Sequence, residues 1–540
     1  MRKLFAQSRP QAPGLMAGWL FWLAAVVAGL AQAASIANPF DGQPVWWLQI
    51  LSMAGLVALL EAAPTPRAAA ARGWFFATAW LTGTFWWLYI SMHTYGGLAA
   101  PLTVLAVVGL AATLALYYAL VCGLFKALAP EHSAARAIFF ASLWLLAELA
   151  RGVWFTGFPW GAGGYAHLEG LGILARYIGV YGIGWVASAV ACLLVAVAAG
   201  RQRAATHKNG PALALFAVLV MLAVASRLGE PGAEPEAASP NDRLQISLLQ
   251  GNIPQDEKFE QGTGVVTALQ WYGEQLSAAR TPLVVAPETA LPLLPQQLPP
   301  GYWDALQKRF ATGEQTVMLG LPLGNHREGY TNAVMGFQPG VAEHYTYAKH
   351  HLVPFGEFIP PLFKWFTEMM NIPLGDFNRG AVGQASLNVS GQRLAPNICY
   401  EDLFGEELGA RFIDPAQAPT IFVNFSNIGW FGDSLAIDQH LSISRMRALE
   451  FERPMIRATN TGATAIIDHR GRVTQQLPRL TRGVLVGEVQ GRGLTAESGW
   501  QITPFAWWVS RFGLWPLWAL GLLGVVLGVV LGVATRRRPN

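Results

Sequence analysis

Apolar runs near the length of a membrane span recur along this chain, at about 14–34, 45–62, 74–92, 98–124, 136–150, 174–199, 211–227 and 512–534. A helix needs about 20 apolar residues to cross the hydrocarbon of a bilayer. The pattern therefore predicts eight transmembrane helices, seven before a long polar stretch and one after it. Of the 540 residues, 53% are hydrophobic and only 13% charged, which excludes an ordinary soluble protein. The expected organisation is a membrane domain over 1–226, a linker over 227–242, a polar domain over 243–495, and a last span with a basic tail over 496–540.

Loop charge orients the spans, because cytoplasmic loops are enriched in Lys and Arg. Arg2, Lys3 and Arg9 open the chain, and alternate loops carry Arg67 with Arg72, Lys126 with Arg136, and Arg201, Arg203 with Lys208. Arg536, Arg537 and Arg538 close it, whereas SIANPFDGQP and HTYGG hold no Lys or Arg. Both termini are thus expected in the cytoplasm and the polar domain outside. The net charge of +4 follows from this topology and implies no nucleic-acid partner. The start, MRKLFAQSRP followed by an apolar run and AQAAS, also resembles a secretory signal. Its length favours retention as a span.

RLGEPGAEPEAASPND reads as a linker, since its composition buries no core. Beyond it come β-like runs, LQISLLQ, PLVVAP, TVMLGLPL, NAVMGF, LAPNI, TIFVNF, PMIRATN and ATAIIDH. Helix-like stretches such as TGVVTALQWYGEQLSAAR and DQHLSISRMRALEFE separate several of them. Interleaving of this kind predicts an α/β sandwich.

The chemically interesting residues fall where these strands end. PLVVAP leads to Glu288, HYTYA to Lys349, and LAPNI to Cys399. Strand ends are where α/β folds gather groups from distant parts of a chain. A thiolate is a strong nucleophile, a partly desolvated carboxylate is a base for it, and an ammonium stabilises the oxyanion formed on a carbonyl. Taken singly, Cys399 reads better as a small buried hydrophobe, and Glu288 and Lys349 as surface charges or an ion pair.

APETALP, YAKHHLVPFGEF and NICYED, in that order, resemble the nitrilase superfamily. The resemblance implies an αββα sandwich with a catalytic Glu288–Lys349–Cys399 triad, and Glu357 as a second glutamate positioning Lys349. The spans split seven plus one around this domain, with QGNIPQDEKF, the Asn332 of YTN, NFSNIGWFGDS and FTGFPWGAGGY, resemble the apolipoprotein N-acyltransferase family within it. That implies a bacterial inner-membrane enzyme with its catalytic domain in the periplasm. Its acyl donor would be a membrane phospholipid, by expectation phosphatidylethanolamine, and its acceptor the α-amino group of a diacylglyceryl-cysteine apolipoprotein. A Cys399 thioester would link two half-reactions, with Tyr400 supplying an oxyanion N–H and Tyr400 and Glu401 shaping the pocket. No cofactor and no metal are implied, and the chain is expected to act as a monomer. Phe259 stands where the family often has tryptophan, so its part as a substrate contact is open. The rivals are a membrane-tethered amidase or nitrilase using the same triad, and a non-catalytic scaffold or transporter.

Several stretches keep two readings. IPPLFKWFTEMMNIPLGDF suits either an interfacial segment that packs around acyl chains or a helix covering the core. Trp430 and Phe431, between Gly429 and Gly432, read as a mobile aromatic loop that acts as a lid. FTGFPWGAGGY is either an interfacial belt or part of a lipid route. Arg151 is expected to pair with Glu148 or to meet a phosphate. His350 and His351 lack the companions a metal site needs.

Overall fold

Strand alternation sorts the polar domain into layers. In β2 (Leu283–Ala286), Leu283 and Val285 point into one apolar core while Val284 and Ala286 point into another. In β8 (Ile421–Ser426), Ile421, Val423 and Phe425 join the first core and Phe422 turns away. This period of two is the geometry of a strand covered on both faces. The computed structural model describes residues 15–200, 243–359, 377–493 and 502–536.

The first sheet runs β12-β1-β2-β3-β4-β5, built from Gly483–Gln490, Arg243–Gln250, β2, Thr316–Asn325, Gly329–Phe337 and Tyr345–Ala348. The second runs β11-β10-β9-β8-β7-β6, built from Val473–Gln476, Ala465–Ile467, Met455–Thr459, β8, Gln392–Ile398 and Leu387–Val389. Three central strands of each sheet are parallel to one another. The core between the sheets includes Leu283, Val285, Ile398, Val423 and Ile456. Outside the first sheet lie helices Gly264–Ala278 and Tyr302–Thr312. Outside the second lies helix Ala436–Phe451, whose apolar core is continuous with that of the membrane helices. The result is an αββα sandwich with one helical layer shared with the membrane domain. The eight anticipated runs all form strands, whereas β5, β6, β11 and β12 are additions: short or half-exposed strands defined mainly by the partner they pair with.

Among the described residues, five helices are long and apolar enough to cross a membrane: Trp19–Ile36, Ala100–Leu128, Ser133–Thr156, Gly172–Ala198 and Trp515–Val533. Trp46–Glu61 is a shorter apolar helix. The third run differs from expectation, because its helix is Pro66–Phe85 and not 74–92. Thr65 caps it by accepting from Ala68 N, and an alanine run with high helix propensity carries it forward. Arg72, expected in a loop, therefore lies inside a helix, where it donates to the Leu59 carbonyl at 2.6 Å and covers the Phe21 ring. The seventh run at 211–227, the linker, most of the apolar stretch after Glu357 and the basic residues Arg2, Lys3, Arg9, Arg201, Arg203, Lys208, Arg537 and Arg538 lie outside the described residues.

The two parts meet along helix Ala436–Phe451. Gln439 Oε1 accepts from the indole N–H groups of Trp87 at 3.0 Å and Trp160 at 2.7 Å, and its Nε2 donates to the Thr84 carbonyl at 2.9 Å. Glu450 accepts from Val180 N at 2.7 Å, and Arg447 donates to the Tyr165 hydroxyl at 3.2 Å. Buried polar groups paired across this seam fix one docking geometry.

Candidate active site

The chain turns sharply where β2 ends. Thr289 takes a φ of 49°, and β3 passes so close behind that a Cβ at Gly320 would lie 2.4 Å from the Pro287 carbonyl. Glycine at that position lets the turn seat Glu288 in the interior. Glu288 Oε1 accepts from Asn332 Nδ2 at 2.7 Å and faces Lys349 Nζ at 3.4 Å, while Oε2 accepts from Asn427 N at 2.8 Å. Burial pushes this carboxyl up, but Lys349, Asn332, Lys258 and Asn427 together outweigh it and hold the group below its ordinary value.

Lys349 follows β5, and its backbone N–H donates to the Asn332 carbonyl at 2.8 Å. Its ammonium donates to Glu357 at 2.9 Å. Burial alone favours the neutral amine, yet Glu357, Glu288 and Cys399 reverse that and raise its pKa. Glu357 is held in turn by Asn332 Nδ2 at 2.7 Å and Val353 N at 2.8 Å. One asparagine amide thus joins both glutamates that face the lysine.

Cys399 ends β7 with a φ of 52°, a conformation L residues avoid and which tends to collect at functional sites. Its carbonyl accepts from His440 Nε2 at 3.1 Å and Asn424 Nδ2 at 3.4 Å. The residue is partly exposed, unlike the buried Cys122 and Cys192. Burial of the sulfur, then the Glu288 charge, push the thiol up to about 12, with Lys349 and Ser426 acting the other way. The resting pair is therefore a neutral thiol facing a carboxylate. A nucleophile, a base and a fixed cation are the parts of covalent acyl chemistry.

The flanking residues divide. Glu401 accepts from His350 N at 2.6 Å, His351 N at 3.2 Å, Ile398 N at 2.6 Å and the Tyr347 hydroxyl at 2.8 Å. It clamps the lysine loop to the cysteine turn, with its carboxylate turned to backbone. The Tyr400 ring points at the membrane domain, donating to the Gly157 carbonyl at 3.2 Å and stacking on Phe158. Phe431 packs on Trp87 with centroids 4.3 Å apart, and Trp430 on Tyr95 at 5.9 Å, so this aromatic loop closes against the membrane domain. Phe259 remains 37% exposed at the rim of the polar domain. His350 donates to the Gly380 carbonyl and His351 to that of Thr156, and the His351 ring also meets Glu407 and stacks on Phe404. The expected pairing of Arg151 with Glu148 is corrected. Arg151 donates to the Phe158 and Trp160 carbonyls at 2.6 and 2.8 Å, while Glu148 accepts from Gly163 N at 3.0 Å. The loop after this helix needs donors for its carbonyls, and Arg151 supplies them.

Three further features escaped the sequence reading. Asn427 donates to Glu288 from 139 residues away, and only its place in the polar run after β8 hinted at it. Asp402 is buried against His440 at 3.0 Å, Arg457 at 3.3 Å and Ser444, beneath the cysteine turn. Lys258, the cation of QGNIPQDEKF, is buried and donates to the Glu288 carbonyl at 3.3 Å.

Comparison with known proteins gives a consistent answer. The chain matches the family described as apolipoprotein N-acyltransferase N-terminal domain over residues 28–193 and that described as carbon-nitrogen hydrolase over 245–496. It is 62% identical to an apolipoprotein N-acyltransferase of Verminephrobacter eiseniae over 501 residues, 91% of this chain and 92% of that protein. A second apolipoprotein N-acyltransferase, from Ralstonia nicotianae, is 44% identical across 91% of this chain and 90% of its own. Among solved structures, a carbon-nitrogen hydrolase from Helicobacter pylori G27 aligns at 16% identity and a TM-score of 0.34, covering 46% of this chain and 89% of its own.

Proposed function

The chain belongs to the apolipoprotein N-acyltransferase family, and from that premise we propose that it completes lipoprotein maturation through a thioester on Cys399. It is an acyltransferase with a carbon-nitrogen hydrolase domain, acting in a membrane on a lipoprotein with a phospholipid as donor. In the first half-reaction Glu288 takes the Cys399 proton as sulfur attacks the donor ester carbonyl. The N–H of Tyr400 and the Lys349 ammonium steady the oxyanion. The ester C–O bond breaks, Glu288 returns the proton to the leaving alkoxide, and lysophospholipid departs. In the second, the free α-amino group of diacylglyceryl-cysteine attacks the thioester carbonyl. Glu288 accepts a proton from that nitrogen, the C–S bond breaks, and the thiol is restored. The thioester conserves the acyl-transfer potential of the ester, so no other energy source is needed.

The finer reading is that the donor is phosphatidylethanolamine, acylated at its first glycerol position, and that the enzyme works as a monomer. We also propose eight spans, both termini in the cytoplasm and the catalytic domain in the periplasm, with boundaries 1–226, 227–242, 243–495 and 496–540. Loop charge supports that orientation. The observation that carries the mechanism is the meeting of Glu288, Lys349 and Cys399 from the ends of β2, β5 and β7, in a domain packed directly on apolar helices. The test supplies purified protein in lipid discs with phosphatidylethanolamine and a diacylated lipopeptide. N-acyl peptide and lysolipid in equal amounts are expected, with none from Cys399→Ala. Free fatty acid in place of acyl peptide, or turnover by Cys399→Ala, overturns the reading.

A further inference from the structure

Lys349 has two carboxylates to answer its charge, whereas a second buried lysine beside the site has none. Lys258 is 2% exposed, and among the described residues it makes no ion pair. Its ammonium carries three N–H donors, and among the described residues the single hydrogen bond it makes is to the Glu288 carbonyl, at 3.3 Å. A buried cation without a counter-ion is costly to the fold. Asp256, Glu257 and Glu260, the acids near it in sequence, are all exposed and turned away from the interior. The ionisable groups beside it are Glu288 and Cys399, both close enough to act on its protonation.

We propose that Lys258 is an electrostatic positioning residue for the acyl transfer: its ammonium holds the Glu288 turn by the backbone and favours the anionic forms of Glu288 and Cys399 as the proton moves between them. The proposal rests on the reading of Glu288 as the base for Cys399.

The division of labour between the two lysines follows from their partners. Lys349 is fixed on Glu357 and Glu288, so much of its charge is already neutralised before substrate binds. Lys258 is bonded to a neutral carbonyl, so in its protonated form no ion-pair partner offsets its field at Glu288 and Cys399. Burial outweighs the opposing pull of Glu288 and Cys399 and brings the Lys258 pKa down to about 7, so the lysine is partly protonated near neutral pH and gains its charge as the pH falls. The turn it grips is the one strained at Thr289, with a φ of 49°, where a loose backbone would move the carboxylate directly.

The ionisable groups around Glu288 are Lys349 after β5, Glu357 in the following loop, Cys399 after β7, a neutral thiol at rest, and Lys258 itself; Asn332 and Asn427 do not titrate. Removing one cation from this set raises the Glu288 pKa, so the acid limb of the rate must move to higher pH.

The experiment measures formation of the Cys399 acyl-enzyme by intact mass, for the full-length protein in discs of phosphatidylethanolamine, across pH, in the parent, Lys258→Met and Lys258→Arg. Thermal unfolding accompanies each rate. Lys258→Met is expected to acylate at least about tenfold more slowly near neutral pH, with its acid limb higher by roughly one pH unit. Lys258→Arg, which keeps the charge, is expected within about threefold of the parent with the limb in place. If Lys258→Met does not fold, Lys258→Gln keeps a donor toward the Glu288 carbonyl without charge and carries the same expectation. A neutral variant whose limb stays with the parent's overturns the proposal, whether or not its rate falls, because a packing role leaves the limb unmoved. Folded Lys258→Arg behaving like Lys258→Met also overturns it. Absence of acyl-enzyme in the parent instead overturns the thioester reading itself.

Discussion

Asn332 donates from its side-chain amide to Glu288 across 2.7 Å, and the same nitrogen reaches Glu357 at an equal distance. Both glutamates also face Lys349, so the amide keeps two like charges apart from each other and together around one cation. Asn332→Ala removes two charge-assisted bonds, each worth about 1.5–3 kcal/mol. Acyl-enzyme formation is expected to fall roughly a hundredfold or more. Asn332→Asp should be worse still, since it sets a third carboxylate against the other two. Time-resolved intact mass with phospholipid measures both, and parent-like rates in either variant contradict the bridging role.

The Cys399 thiol predicts an unusual alkylation profile. Burial and Glu288 push its pKa up to about 12, so the thiol form dominates through the neutral range. Without acyl substrate, its reaction with iodoacetamide should rise roughly tenfold per pH unit up to about pH 10 without a plateau. Lys349→Met removes a charge that favours thiolate and should lower the rate at every pH. A plateau near neutral pH would mean a preformed thiolate and would contradict the resting state described above.

What the sequence made legible is the order and placement of the three proposed reacting groups. Glu288, Lys349 and Cys399 each follow a run of alternating or continuous apolar residues, so their positions at strand ends could be read locally. Asn427 and Lys258 could not be read that way. Each reaches Glu288 through a contact that exists only after the two sheets have formed and packed. Arg151 shows the converse: its three-residue spacing from Glu148 suggested a pair, but the carbonyls of a folded loop outcompeted it. Local spacing carries propensity and periodicity, while a hydrogen-bond partner is decided by which groups burial leaves unsatisfied.

Glu401 makes a different prediction from the residues around Lys349. Its two oxygens accept four hydrogen bonds, from three backbone N–H groups and the Tyr347 hydroxyl. Glu401→Gln replaces one acceptor with an NH2 group aimed at donors, leaving buried N–H groups unpaired at about 1–3 kcal/mol each. Stability and acylation rate should therefore fall together, with Tm lower by several degrees. A fall in rate at unchanged Tm would instead place Glu401 at the reacting centre.

Gln439 tests whether the docking of the two parts matters to the chemistry. It accepts from Trp87 and Trp160 and donates to Thr84, all in the membrane domain. One residue on, His440 supports the Cys399 carbonyl at 3.1 Å, so the helix that docks the domain also holds the Cys399 turn. Gln439→Leu keeps the volume but strands two indole N–H groups and one carbonyl in a buried interface, costing about 1–3 kcal/mol for each group left unpaired. The variant is expected to insert into membranes yet show a lower Tm and greater protease sensitivity between the domains. Because the same helix holds the Cys399 backbone, its acyl-enzyme should form at least about tenfold more slowly. Loss of stability with the acylation rate unchanged would mean that docking and catalysis are independent, and that the shared helix serves only to join the two parts.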